Sequence, residues 1–323
     1  MSETSVRSAF SGAEFQPSIV CSSASMWYGK VIALNDVSFD VGSGVVGLLG
    51  PNGAGKSTLM RLLVGLLRPT SGSVTVFGQP AFGSTAVRSC VGYCPEHDYF
   101  YEDMTGLDFV RTMTQLYGYS PSESLQRAKY ALDRVGLPTA ASGGRKRIRE
   151  YSKGMRQKVK LAQALAHEPD LLVLDEPLTG TDPMSRHQIS ELCRQLGDEG
   201  RTVIVSSHVL HEVERITHEF ILIDRGRLLA KGNVRDIRQL IDQHPHRIEL
   251  VVTDSRALAS RLISEPYVSG VTVTGSCSLL CETVSPDACY DALPRLALES
   301  GVLIRKMSSP DNNLEAVFRY LTR

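Results

Sequence analysis

The sequence contains a glycine-rich segment that ends in a lysine and a hydroxyl side chain, a combination suited to binding phosphate. This segment fits the pattern G-x-x-x-x-G-K-[ST] and directly follows the apolar run Val45–Leu49. Glycines let successive backbone N–H groups point at phosphate oxygens, and the start of the next helix adds positive potential. We expect Lys56 to reach the β- and γ-phosphates and Ser57 to bind Mg²⁺. The predicted nucleotide-binding residues of this segment are Gly50, Pro51, Asn52, Gly53, Ala54, Gly55, Lys56, Ser57 and Thr58.

Two adjacent carboxylates form the second pattern with chemical potential. Asp175 and Glu176 come directly after Leu171–Leu174, an apolar run typical of a buried strand. The carboxyl end of a strand lies at the ligand-binding edge of an α/β sheet, where the phosphate-binding segment is also expected. We predict that Asp175 holds Mg²⁺ through water and that Glu176 orients or deprotonates an attacking water molecule.

A third pattern joins a helix cap to a glycine. Ser152 precedes a predicted helix over Lys153–His167, so its hydroxyl and the free N–H groups of the first turn can face an anion. Ser-x-Gly before a helix is common, so the pattern alone is more typical of plain capping than of an anion site. The whole segment, Tyr-Ser-Lys-Gly-Met-Arg-Gln at 151–157, resembles the signature L-S-G-G-Q of ATP-binding-cassette (ABC) ATPases. Ser152 and Gly154 match that signature, whereas Lys153 and Met155 depart from it.

Further residues follow the order known in that family. Tyr28 matches the aromatic residue that stacks on adenine, while we expect the neighbouring Trp27 to lie in the core. His208 matches the histidine that contacts the γ-phosphate. Asp182 matches the acid of the family's D-loop, although Thr181 replaces the usual leucine. The resemblance covers roughly 220 residues and implies ATP and Mg²⁺ as ligands.

One position departs from the family in its charge. Residues 91–96 align with the segment that carries a glutamine close to Mg²⁺ and the membrane partner, but Glu96 stands in its place. A carboxylate is a better ligand for magnesium than an amide, and it also adds negative charge beside the phosphates. We therefore predict Glu96 as a third metal-contacting residue, together with Ser57 and Asp175.

The spacing of these patterns requires a mainly parallel sheet. Short runs that are apolar on both faces alternate with helical patterns, which indicates strands covered by helices on both sides. The predicted strands are Val45–Leu49, Ser73–Phe77, Val91–Cys94, Leu171–Leu174, Val203–Ser206 and Phe220–Ile223. A helix-rich insertion over about residues 99–167 contains the predicted helices Ser122–Val135 and Lys153–His167. The fold class is therefore α/β, a P-loop NTPase cassette over residues 18–240.

The pattern changes after residue 239. Strand, helix, strand, strand, helix and strand follow in turn, the order of a ferredoxin-like unit. These elements are Arg247–Thr253, Ser255–Ser264, Val268–Thr274, Cys277–Val284, Pro286–Ser300 and Val302–Met307, with a last helix from about Pro310. We expect a small C-terminal α/β domain over residues 247–323, and a disordered tail over residues 1–17.

Composition limits the classes of function. The 35 basic and 35 acidic side chains cancel, which argues against a nucleic-acid partner. No apolar run reaches the roughly 18 residues that cross a bilayer, and residues 1–17 lack the apolar core of a secretory signal. We expect a cytoplasmic protein. The seven cysteines lie in apolar surroundings without nearby histidines, so we expect core thiols and no metal site: Cys21, Cys90, Cys94, Cys193, Cys277, Cys281 and Cys289.

The family resemblance implies how such a chain works. In ABC ATPases the signature of one subunit closes the phosphate site of a second, so we expect a homodimer that holds two ATP molecules. Two segments, residues 151–157 and 314–318, resemble the corresponding sequences of the ATPase subunits of ABC-2-type exporters. Those subunits dock on separate integral membrane permeases. The chain would then lie peripherally on the inner face of the membrane. Three consecutive aromatics, Tyr99–Tyr101, cannot all point inward, so we predict that an outward-facing one contacts the permease.

Two other functions remain open at this point. One is a non-transport ABC ATPase acting on ribosomes or DNA; such proteins usually carry two fused cassettes or a long coiled coil, and neither pattern is present. The other is a regulatory module that senses ATP without hydrolysing it. The presence of Glu176 and His208 argues against that module, whereas Glu96 and the altered signature favour it. The transported substrate is not encoded in any of these residues.

Overall fold

The computed structural model describes residues 17–137, 146–233 and 245–309. The chain divides into two compact units, Met1–Lys231 and Gly232–Arg323, so the division falls before the predicted end of the cassette near residue 240. Our predictions for the tail before residue 17 and for a helix from Pro310 lie outside the described residues. No helix of the described chain combines the length and apolarity needed to span a membrane.

The first unit is built on a six-stranded sheet. Its order is β10-β9-β3-β8-β7-β6, and strand β3 pairs in parallel with both β8 and β9. The strands are β3 (Gly44–Leu49), β6 (Val91–Cys94), β7 (Leu171–Leu174), β8 (Thr202–Ser207), β9 (Glu219–Asp224) and β10 (Arg227–Asn233). All residues of β7 and β8 are buried, as expected for strands covered on both faces. The predicted parallel sheet is confirmed.

A second, antiparallel sheet of the first unit was not predicted. It has the order β2-β1-β4-β5, with β1 (Ile19–Tyr28), β2 (Val31–Val41), β4 (Ser71–Val76) and β5 (Gln79–Pro80). The segment predicted as Ser73–Phe77 is therefore a strand, but it pairs antiparallel with β1 and not within the parallel sheet. The reason is visible in the burial of β4, which exposes its first half and buries only Val74 and Val76 on one face.

Helices flank the parallel sheet and carry most of the functional loops. They are α1 (Lys56–Leu63), α2 (Thr85–Cys90), α3 (Gly106–Gln115), α4 (Pro121–Arg134), α5 (Lys153–Leu165), α6 (Pro183–Asp198) and α7 (Leu210–Glu214). Their starts follow capping chemistry: Ser120 and Glu123 form a capping box before α4, with Pro121 at the first helical position. Apolar faces of α3–α6 pack in one core cluster with β7 and β8.

The second unit has a single four-stranded antiparallel sheet. Its elements are β11 (His246–Val252), α8 (Ser255–Leu262), β12 (Val268–Gly275), β13 (Ser278–Thr283), α9 (Pro286–Glu299) and β14 (Ile304–Ser308). The sheet order β12-β13-β11-β14 places the third strand between the first two, which is the split βαβ arrangement. Helix α9 continues through Pro294, and Asp254 caps α8 through two backbone N–H groups.

The cysteines follow the prediction only in part. Most of them are buried, but Cys277 is exposed and Cys90 is half-buried. Cys277 occupies the tight connection between β12 and β13, at the edge of the sheet, and is exposed there. The prediction of a core position was wrong for this residue because the apolar neighbours in sequence lie on strands and not at the turn.

Candidate functional site

The phosphate-binding loop joins β3 to α1, and its shape depends on glycine. Gly53 and Gly55 adopt positive φ angles of 81° and 107°, the left-handed region that side chains disfavour. At Gly50 a Cβ atom would overlap the carbonyl oxygen of Ile223 on the neighbouring strand β9. The N–H of Gly226 donates to the carbonyl of Ala54 at 2.9 Å, so the β9–β10 turn fixes the middle of the loop.

Lys56 lies at the first position of α1 and is 6% exposed. Its ammonium group donates to the carbonyl oxygens of Gly50 at 2.8 Å and Pro51 at 3.2 Å. It also lies 3.6 Å from the Oε1 atom of Glu176, an ion pair in which both side chains are 7% exposed. The loop therefore holds a buried cation at the entrance of a helix, where phosphate oxygens are favoured. Ser57 and Thr58 follow in the same turn and are half-buried.

Asp175 and Glu176 are linked by a serine that the sequence reasoning missed. The hydroxyl of Ser206, at the end of β8, donates to Asp175 Oδ1 at 2.8 Å and accepts from the Glu176 N–H at 2.9 Å. Ser206 is fully buried, and Asp175 is 2% exposed. Glu176 itself has a φ of +50°, an uncommon backbone conformation that turns its side chain toward Lys56. The bridge thus fixes the direction of both carboxylates.

Two further side chains contact the second carboxylate oxygen of Glu176, Oε2. Its Oε2 accepts a hydrogen bond from Thr179 Oγ1 at 3.0 Å and contacts His208 Nδ1 at 2.9 Å. An ionised carboxylate only accepts, so Nδ1 of His208 carries the proton and Nε2 is left as an acceptor in the neutral ring. The structure therefore brings together Lys56, Asp175, Glu176 and His208, four of the predicted site residues.

Glu96 lies apart from this cluster. Its side chain is 49% exposed, and its Oε2 atom lies 3.8 Å from Nδ1 of His97. Its carbonyl oxygen accepts from the ammonium group of Lys160 at 2.8 Å, and Lys160 also pairs with Asp98 at 3.0 Å. No described contact joins the Glu96 carboxylate to Ser57 or Asp175. A hydroxyl at Ser57 and a carboxylate at Asp175 are the oxygen donors that Mg²⁺ prefers, so those two residues fit the metal.

Tyr28 ends strand β1 and is 43% exposed, so part of its ring is accessible to a ligand. The phenols of Tyr93 and Tyr28 lie beside Arg61 of α1. Desolvation by burial would lower the pKa of Arg61, but the two phenols raise this pKa overall.

Trp27 is 45% exposed, so the prediction that it lies in the core was wrong. Trp27 pairs with Ile32 across the tip of the β1–β2 hairpin, and Ile32 is exposed as well.

The signature segment forms a separate cluster. Ser152 caps α5 by accepting from the Met155 N–H at 3.3 Å. A Cβ atom on the buried Gly154 would lie 3.1 Å from Asp182 Oδ2, so only a small residue fits there. Asp182 caps α6 by accepting from the Ser185 N–H at 2.9 Å, a bond that lowers the pKa of Asp182. Within the described chain, Ser152 has no hydrogen bond to the phosphate-binding loop.

Several comparisons relate this arrangement to known proteins. The family model described as "ABC transporter" matches residues 34–179. An uncharacterized ABC transporter ATP-binding protein of Nostoc sp. (strain PCC 7120) is 41% identical over 209 residues, which cover 64% of this chain. The alignment spans 62% of that relative, less than two thirds of its length.

Another relative aligns over almost the whole chain. The Nod factor export ATP-binding protein I of Rhizobium sp. (strain N33) is 35% identical, covering 91% of this chain and 93% of its own. Among solved structures, one titled "Structure of ATP binding subunit of ABC transporter" is 32% identical with a TM-score of 0.62. That likeness covers 69% of this chain and 92% of the other.

Proposed function

The chain belongs to the family of ABC transporter ATP-binding proteins, and on that premise we propose that it hydrolyses ATP to drive an exporter. The observation that carries the proposal is the convergence of Lys56, Glu176 and His208 beside a phosphate-binding loop. Each of these groups suits one task in phosphoryl transfer to water.

The roles follow from the geometry. Lys56 already bridges the loop carbonyls and Glu176, so phosphate oxygens placed on the loop N–H groups lie within its reach. Glu176 is a buried carboxylate that can take a proton from water, and His208 contacts it through Nδ1, so its other ring nitrogen can serve the phosphate. When Mg²⁺ is bound, held by Ser57 and Asp175, it neutralises charge on the phosphate oxygens. Tyr28 offers the accessible part of its ring to the adenine.

The cassette works as a pair in this proposal. Ser152 and Gly154 lie with Asp182 and not at the phosphate-binding loop of their own chain. Ser152 and Lys153 are exposed at the start of α5, whose first turn carries no acidic residue, so this helix start suits a phosphate presented by a second copy. Two chains facing each other would enclose two ATP molecules and separate after hydrolysis.

The permease would contact the exposed rings of Tyr99 and Tyr101 and a groove that reaches Pro95. A cavity of about 580 Å³ is lined by apolar and aromatic side chains that include Leu66, Tyr93, Leu116 and Tyr117. Leu66 and Leu116 are 59% and 77% exposed, which is unusual for neighbouring leucines unless a partner covers them. Tyr93 lies on β6, which pairs with β7 directly before Asp175 and Glu176, so a helix in this groove could act on the nucleotide site. Through such a partner the chain would lie at the cytoplasmic face of the membrane.

We propose that the transporter exports its substrate, because the relative named for Nod factor export aligns along both units of this chain. The cargo is left open, because the ATP-binding residues of the chain do not contact it in this arrangement.

Phosphate release by the purified chain with ATP and Mg²⁺ tests the proposal. We expect turnover in the wild type and in Glu191→Gln, an exposed carboxylate on α6, and none in Lys56→Ala. ATP binding without phosphate release would refute hydrolysis and favour the ATP-sensing module. The exporter part requires copurification with a six-helix permease and ATP-dependent transport by the reconstituted complex in vesicles.

A further inference from the structure

Glu176 depends on two separate loops for its orientation. Thr179 comes from the segment after β7, and His208 comes from the segment after β8, yet both contact the same Oε2 atom. The Thr179 segment leads into α6, a helix of 16 residues, whereas α7, which follows His208, has only five residues and is too short to fix the loop before it. A further contact must therefore fix the position of the His208 loop relative to the Thr179 loop.

Behind these loops, one ion pair connects them. Arg186 on α6 contacts Glu212 on α7 at 2.9 Å, and its other terminal nitrogen donates to the carbonyl of Thr181 at 3.2 Å. Thr181 lies two residues after Thr179, and Glu212 lies four residues after His208. The connections form a closed ring that runs from Glu176 through Thr179, Arg186, Glu212 and His208 back to Glu176. We call it the Glu176 ring.

Stability alone does not explain this pair. Glu212 is 8% exposed, so its charge is largely removed from water, which offsets much of the attraction to Arg186. The Nε atom of Arg186 is buried and has no hydrogen-bond partner, a further cost. Apolar side chains of similar size could fill the space without either cost.

We propose that Arg186 and Glu212 are positioning residues that hold His208 and Thr179 on Glu176. The planar guanidinium is suited to this task because it reaches a carbonyl and a carboxylate in fixed directions at once. The inference rests on the proposed hydrolysis for its effect on rate, but the ring itself can be observed without ATP. Loosening it releases Nδ1 of His208 from Glu176 and allows the tautomer protonated at Nε2.

The first measurement is the ¹⁵N spectrum of the imidazole nitrogens in histidine-labelled chain, with His208 assigned from His208→Gln. We expect the wild type to show His208 protonated at Nδ1, and Glu212→Gln and Arg186→Lys to show a mixture of tautomers. The matched control is Glu191→Gln, which breaks an ion pair between Glu191 and Arg194 on the same helix but outside the ring. It should leave the His208 signals unchanged.

The second measurement is steady-state ATP hydrolysis by the same variants. We expect Glu212→Gln and Arg186→Lys to lower kcat about 10- to 100-fold with KM for ATP within about twofold, because the phosphate-binding loop is untouched. Wild-type His208 signals in both variants would overturn the proposal, even with a lower kcat, since the pair would then act through stability alone. A tautomer shift in a chain that never hydrolyses ATP would uphold the ring and refute the proposed function instead.

Discussion

Replacing Ser206 with alanine should weaken the first unit more than any ordinary serine substitution. The Ser206 hydroxyl is fully buried and makes two hydrogen bonds, one donated to the Asp175 carboxylate and one accepted from the Glu176 N–H. Alanine fits the space but satisfies neither group. The substitution leaves a buried carboxylate oxygen and a buried N–H without partners. Because Ser206 is fully buried, solvent water does not replace its hydroxyl.

The expected loss follows from those two groups. A hydrogen bond to a charged group contributes about 1.5–3 kcal/mol, and an unsatisfied buried donor costs about 1–3 kcal/mol. We therefore expect Ser206→Ala to lower the free energy of unfolding of the first unit by about 3–5 kcal/mol. In guanidinium chloride this corresponds to a midpoint lower by roughly 1 M. Trp27, the only tryptophan, lies in this unit, so its fluorescence reports the transition.

The matched control is Ser190→Ala, a buried serine on α6 that lies outside the site. It should change the free energy of unfolding by no more than about 1 kcal/mol. If Ser206→Ala lowers the free energy of unfolding by less than about 1 kcal/mol, the serine bridge does not hold Asp175 and Glu176.

Four further predictions concern the site, the second unit, the docking surface and pH. Glu176→Gln should stop hydrolysis while ATP still binds, so size-exclusion chromatography with ATP and Mg²⁺ should show a trapped dimer; wild-type turnover would exclude Glu176 as the base. Removing residues 244–323 should leave ATP affinity intact and weaken dimerisation, whereas a tenfold loss of ATP affinity would place that unit in the site. Tyr99→Ala should uncouple transport without lowering basal ATPase activity, because its ring is 72% exposed; poor folding would contradict this. Burial lowers the pKa of His167 to about 4, so the folded chain keeps this ring neutral while the unfolded chain protonates at ordinary values. Stability should therefore fall as pH drops from about 6.5 toward 4, and His167→Phe should flatten that slope in equilibrium unfolding.

The sequence was sufficient for the elements that carry a strong local signal. Leu171–Leu174 is apolar at every position and is followed by two acids, so both the buried strand and the position of Asp175 and Glu176 could be predicted. The aromatic run was predicted to expose at least one ring, and Tyr99 and Tyr101 are exposed while Phe100 packs edge-on against Phe109.

Contacts between distant segments could not be predicted in the same way. Ser206 faces Asp175 only because β7 and β8 pair in parallel with Leu174 opposite Val205, a register that no local pattern encodes. The ion pair of Arg186 and Glu212 likewise requires two helix starts to meet. Trp27 is exposed because it lies near the tip of the β1–β2 hairpin, an element that the sequence patterns did not predict.

The hydrogen bond between Gly226 and Ala54 has a consequence for the order in which the protein acquires its ligand. During synthesis the amino-terminal part of a domain leaves the ribosome first, but the phosphate-binding loop is closed by a turn made 172 residues later. The N–H of Asn35 donates to the carbonyl of the same Gly226 at 2.7 Å, so this turn also contacts strand β2 of the antiparallel sheet. We therefore expect a nascent chain that ends before Gly226 to bind nucleotide less tightly than a chain whose first unit is complete.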